Sequence, residues 1–222
     1  MVAAEREVGE VVAPKPRLRG AAHFYAFFVS LAVGPVLVIS APDARATGCA
    51  AVYAVSVCGM LGASALLHRG TWSAAHARRL TNLDHAMIYL LIAGTYTPIS
   101  LIVLTGWVRA TVFLLVWLGA VVGTGLELSW RRPPRGWVTC VYITLGWVGV
   151  ISVPQLWTRL GVGSLLIVGG GLAYTVGALV HAARWPDPRP AVFGYHEVFH
   201  VFVLAAVAMH YGVIAALVLP KG

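Results

Sequence analysis

Residues 195–219 read YHEVFHVFVLAAVAMHYGVIAALVL, a run in which Glu197 is the only acidic or basic side chain apart from three histidines. At about 1.5 Å per residue, a helix of this length spans the ~30 Å hydrocarbon core of a bilayer. The segment therefore reads as a transmembrane helix. Working back along the chain, six further apolar runs fall at about 22–41, 47–68, 83–104, 109–130, 136–153 and 160–182. Turn signals separate them: Ala-Pro-Asp at 41–43, Arg-Gly-Thr at 69–71, Arg-Arg-Pro-Pro-Arg-Gly at 131–136, Pro154, and Trp-Pro-Asp-Pro-Arg-Pro at 185–190. The expected fold is an all-α integral membrane protein, a seven-transmembrane helix bundle occupying residues 20–222.

Composition agrees. Of 222 residues, 59% are hydrophobic and 11% charged, with a mean hydropathy of +0.81, which leaves too little polar surface for a soluble domain. The net charge of +8 does not indicate nucleic acid, because the basic residues sit in short clusters between apolar runs and not along one face. Cys49, Cys58 and Cys140 lie in or beside apolar segments without C-x-x-C spacing, and read as small core residues. Fourteen Arg against two Lys, with abundant Ala, Gly and Val, suit a GC-rich bacterial genome and hence a multi-pass protein of a bacterial plasma membrane.

The loops carry an orientation signal. Arg6, Lys15, Arg17, Arg19, Arg69, Arg78, Arg79, Arg131, Arg132, Arg135, Arg184 and Arg189 fall on one side of the seven spans; Arg45, Arg109, Arg159 and Lys221 fall on the other. This asymmetry places the amino terminus in the cytoplasm and the carboxy terminus outside. Residues 1–19, mixed in charge and without apolar periodicity, read as a mobile cytoplasmic tail. The first apolar run begins near His23 and is retained as a helix, not removed as a signal peptide.

Ionisable groups inside spans are costly, so each is a candidate for function. With this topology His68 ends the second helix, Asp84 begins the third, and His196 and His200 open the seventh, all at the cytoplasmic end. His196 and His200 are four positions apart, on one helix face, which lets two imidazoles reach one ion. One further imidazole from His68 completes the ligand count of a catalytic zinc site with an open fourth position. Asp84 and Ser64 are the hydrogen-bond partners for a water there. Imidazole suits Zn²⁺, and no carboxylate-rich cluster favours Mg²⁺ or Ca²⁺. Taken singly, the same residues have simpler readings: an interfacial histidine, a first-turn acid on a helix dipole, a serine bonded back to its own helix.

His196 to His200 also matches H-E-x-x-H, which makes a membrane metalloprotease with Glu197 as its base the competing reading. His210 lies about 15 Å beyond His200 along the helix and cannot share its ion; it is expected to line a cavity or bond a neighbouring helix. Glu127 is expected to pair with Arg131 at i+4, and His23, His76, His85 and His181 to sit at interfaces or in a loop.

Ser64-x-x-x-His68, Leu83-Asp84, Ile92-Ala93-Gly94-Thr95-Tyr96-Thr97-Pro98 and His196-x-x-x-His200 with His210 beyond it resemble the haemolysin III group of the progestin and adipoQ receptor (PAQR) superfamily, from about His23 to Val218. The resemblance implies seven helices, a cytoplasmic amino terminus, and zinc held by His68, His196 and His200 near the cytoplasmic face, with Asp84 on the metal's water and Ser64 close by. Position 197 is Gln in the adiponectin receptors, which argues against Glu197 as an obligatory base. The superfamily's Ser, Asp and three-His pattern resembles that of alkaline ceramidases, and the bacterial group is associated with membrane lipid homeostasis. The leading expectation is a zinc-dependent hydrolase of lipid amide or ester bonds, with Asp84 and Ser64 as catalytic residues and membrane lipids or fatty acyl chains as substrate. The alternatives are a non-enzymatic sensor or receptor with structural zinc, and a cytolytic, haemolysin-type protein; the latter is disfavoured because no span shows a continuous charged lining.

Overall fold

The computed structural model describes residues 15–129 and 137–222. The loop expected at 131–136, and residues 1–14 of the expected tail, lie outside the described residues. The architecture is all-helical: α1 (Ala21–Ile39), α2 (Ala44–Arg69), α3 (Ala74–Pro98), α4 (Gly106–Ser129), α5 (Trp137–Trp147), α6 (Val153–Leu160), α7 (Ser164–Ala183) and α8 (Tyr195–Val213). Six helical stretches are long and apolar enough to cross a membrane: Ala21–Ile39, Ala44–Arg69, Ala74–Val103, Gly106–Ser129, Thr139–Ala183 and Tyr195–Lys221.

The fifth and sixth expected spans, 136–153 and 160–182, thus fall within one helical stretch, but it is interrupted. A 3₁₀ turn at Val148–Ser152 follows α5, and Gly161, at a φ of 55°, ends the short α6 before α7 begins. The positive φ is one that glycine adopts without a Cβ clash. Pro154 starts α6, in the first turn where a missing N–H is harmless, so it begins a helix and does not mark a loop. Trp147 Nε1, at the end of α5, donates to Thr175 Oγ1 in the middle of α7 at 3.0 Å, and the two helices pack side by side.

Helix boundaries follow local chemistry. Asp43 caps α2 by accepting from the Ala46 N–H at 2.7 Å, and Ser73 caps α3. The Ser73 cap starts α3 nine positions before the expected 83, because its first turns carry Arg78 and Arg79 and are invisible to hydropathy. Pro98 ends α3: it lacks the N–H that would bond the Gly94 carbonyl, and a π-helical turn over Ile99–Val103 carries the chain on to Leu104.

Consecutive helices α1 to α4 pack in sequence, α7 packs on α8, and α8 returns to α1, enclosing an interior. The outward faces are apolar. Leu114, Leu118 and Val121 on α4, and Leu165, Leu172 and Leu179 on α7, are exposed at spacings of three, four or seven residues, as lipid-facing stripes require. The interior holds the reverse: Ser64, Glu127, Glu197, His200 and His210 are buried. Of the cysteines, Cys49 is buried but Cys140 is exposed, so the core reading does not extend to it.

Candidate metal centre

The start of α8 is set by two acids. Asp187 Oδ1 accepts from the Tyr195 N–H, and Glu197 Oε2 from the Gly194 N–H, each at 2.9 Å, satisfying donors at a helix end that no preceding turn can serve. This fixes His196 and His200 at the first turns of α8, one above the other. Glu197 turns away from them: its Oε1 lies 2.9 Å from Arg19 Nε. Its two oxygens are thus engaged by backbone and a guanidinium, an occupation unsuited to the general base of a protease.

Arg19 arrives because the chain before α1 is tied to the α7–α8 loop. The Arg17 and Leu18 N–H groups donate to the Ala191 and Val192 carbonyls at 3.1 and 3.0 Å. The described part of the expected mobile tail is therefore held in place. Gly20 then turns into α1 with a φ of 72°, its Cα facing the Cβ of His68 so closely that a side chain there would collide with it.

Three imidazoles converge. The ligand-capable nitrogens of His68, His196 and His200 all lie within 4.8 Å of one another, with the Nε2 atoms of His68 and His196 3.1 Å apart. Such a set can hold a metal ion, and its all-imidazole chemistry, with neutral nitrogen donors from two helices, fits zinc. Asp84, opposite on α3, brings Oδ2 to 3.7 Å from His68 Nε2. Ser64 lines the same space one turn before His68. The structure thus brings all five site residues expected from sequence to one place.

The sequence assigns weaker roles to the remaining ionisable residues. His23 is buried, not interfacial: its Nδ1 is 2.8 Å from Ser64 Oγ, and its ring stacks on His200 with centroids 3.7 Å apart and planes 8° from parallel. His181, on α7, packs edge-on against His196 with centroids 5.2 Å apart. The signal was available, since an ionisable side chain within an apolar run is a candidate wherever it falls. What the sequence lacks is the neighbourhood of α1, α7 and α8. His85 pairs with Glu127, Nδ1 to Oε1 at 2.7 Å, across α3 and α4. Glu127 therefore has a partner other than the expected Arg131, which lies outside the described residues. His76 keeps its exposed position, beside the Ser73 cap.

The cluster sits at the head of a cavity of about 280 Å³. Ser64, Asp84, His85, His181, His196 and His200 surround one end, and an apolar barrel formed by Ile88, Leu91, Ile92, Ile99, Leu156 and Val203, among others, continues inward as far as Tyr174 and His210. The lining is largely apolar, with ionisable groups gathered around the histidine cluster.

Comparison with known proteins identifies the family. A family model described as Haemolysin-III related matches residues 12–211. The chain is 36% identical to Hemolysin-3 of Bacillus cereus over 173 residues, covering 76% of this chain and 74% of that one. It is 33% identical to the Hemolysin-3 homolog of Bacillus subtilis (strain 168) over 161 residues, 71% of each. Against the Heptahelical transmembrane protein ADIPOR2 of Oryza sativa subsp. japonica the identity is 29% over 180 residues, 72% of this chain and 77% of the relative. The chain is thus a multi-pass membrane protein belonging to the Haemolysin-III related family, within the PAQR superfamily.

Proposed function

We propose that this protein is a zinc-dependent hydrolase of lipid amide or ester bonds in a bacterial plasma membrane, acting from a site near the cytoplasmic face. The observation that carries the reading is the join of two features: three imidazoles with an adjacent carboxylate, beside a largely apolar cavity of about 280 Å³. A purely structural metal would tie α2 to α8 without needing that cavity.

His68, His196 and His200 would hold the ion, which when bound supplies a Lewis acid for a carbonyl and acidifies water at neutral pH. Asp84 takes the proton from the attacking water as its oxygen bonds to the acyl carbon. The carbon–nitrogen or carbon–oxygen bond then breaks, and Asp84 returns the proton to the departing amine or alcohol, leaving a fatty acid. Ser64, its hydroxyl positioned by His23, offers a hydrogen bond at the reacting end. The apolar lining seats the chain and excludes bulk water.

The reading includes seven crossings with the amino terminus inside. Support comes from the packing of α5 against α7, as two passes between Thr139 and Ala183 require, and from the term "Heptahelical" in the name of the rice relative. Arg17 and Leu18 lie at the head of α8, whereas Gly222, past its other end, abuts Ala46 and Pro42 near the α1–α2 turn. An odd number of crossings has this consequence. Reporters fused before residue 15 and after Gly222 are expected in the cytoplasm and outside respectively; finding both on one side would remove the seven-crossing reading.

The test of function is fatty acid release from ceramides and phospholipids by the detergent-purified protein. Zinc-loaded protein should release acid, and chelator-stripped protein should regain release on adding zinc back. No release from any amide or ester lipid would leave a non-enzymatic zinc site.

A further inference from the structure

Away from the histidine cluster the cavity lining is mostly apolar but includes the polar side chains of Thr95, Tyr96, Ser152 and Thr175, each bonded to a backbone carbonyl, and two others, His210 and Tyr174. His210 on α8 is only 7% exposed, and its Nε2 lies 3.1 Å from the Ile167 carbonyl oxygen. A carbonyl only accepts, so Nε2 carries the proton, and Nδ1 of the neutral ring keeps a lone pair. That Nδ1 is buried without a partner among the described residues. Tyr174 on α7, its ring centroid 5.7 Å from that of His210, has a hydroxyl that is likewise buried and unpartnered among them. Buried polar atoms are nearly always paired, because a hydrogen bond left unmade away from water is costly.

The ring of His210 is held in place, not accidental in position. Gly170 on α7 faces it so closely that a Cβ there would run into the imidazole, and the Ile167 carbonyl fixes its tilt. One free acceptor and one free donor thus belong to two side chains that line the same largely apolar space. A hydroxyl group answers both, donating to Nδ1 and accepting from the phenol, whereas a methylene answers neither and a carbonyl only one.

We infer that His210 and Tyr174 form a mid-membrane subsite for a hydroxyl on the acyl chain, making the preferred occupant a hydroxylated fatty chain. The inference rests on the acyl-chain reading of the cavity. His200 and His210 are ten residues apart, about 15 Å along α8, which an extended chain covers in roughly a dozen carbon–carbon bonds. A hydroxyl near the middle of a long chain therefore reaches the subsite when the carboxyl end lies at the histidines.

The experiment measures equilibrium binding of stearic, 3-hydroxystearic and 12-hydroxystearic acid to the purified, zinc-supplied full chain in one detergent. The 12-hydroxy acid should bind about tenfold more tightly than stearic acid, and the 3-hydroxy acid should show no such gain. Tyr174→Phe, which removes only the donor, should cut the preference for the 12-hydroxy acid over stearic acid to about threefold or less. Equal binding of stearic and 12-hydroxystearic acid to the wild type, or an undiminished preference in Tyr174→Phe, would overturn the subsite and leave the acyl-chain reading standing. Failure of all three acids to bind would overturn that reading and the subsite with it.

Discussion

In the Asp84→Asn variant, fatty acid release should fall by about 10²-fold or more while the chain keeps its zinc and its fold. The substitution is isosteric and leaves all three imidazoles in place. An amide can still accept a hydrogen bond from water, but it cannot take the proton that must leave as the new carbon–oxygen bond forms, nor hand one to the leaving group. Asp84 also stands only 3.7 Å from His68 Nε2, so a loss of metal is the competing explanation for any loss of activity. Measuring zinc and release on the same sample separates the two. Wild-type release with Asn at position 84 would take Asp84 out of the chemistry; zinc lost together with activity would make it a ligand.

A second large effect is expected at the histidines. Joint His196→Ala and His200→Ala substitution should bring bound zinc from about one per chain to near zero, since a single remaining imidazole at His68 is too weak a site. His210→Ala, about 15 Å away along α8, should keep the metal. Loss of the ion should also lower the thermal midpoint, because zinc that binds only the folded chain stabilises it by mass action. Unchanged metal content in the double variant would mean that the ion is held elsewhere.

Much of the fold and of this site was legible because it depends on local periodicity. Helical spacing of four aligns His196 with His200, and runs of about twenty apolar residues mark most of the bundle without any knowledge of its packing. What escaped depends on which helices become neighbours. Nothing in the order of residues says that α1 lies against α8, so His23 could be read as an interfacial histidine when it stacks on His200 and bonds Ser64. Glu127 pairs with His85, forty-two positions away on α3, a partner that the i+4 spacing to Arg131 does not suggest. Hydropathy likewise missed the polar first turns of α3, which the Ser73 cap makes helical, and its two spans at 136–153 and 160–182 leave out the short α6 that lies between α5 and α7. At Glu197 the five-residue motif suggests a base and the resemblance argues against one; in the structure Arg19, brought in by the paired segment before α1, lies 2.9 Å from its carboxylate.

The central claim is that His68, His196 and His200 together hold zinc. Anomalous diffraction from crystals of the zinc-loaded protein, recorded on both sides of the zinc absorption edge, tests it most directly. The account predicts one strong difference peak bounded by these three side chains, with nitrogen ligands at about 2.0–2.1 Å and Asp84 near the remaining coordination position. A peak bound by other residues, or none between the three imidazoles at full zinc occupancy of the sample, would contradict it.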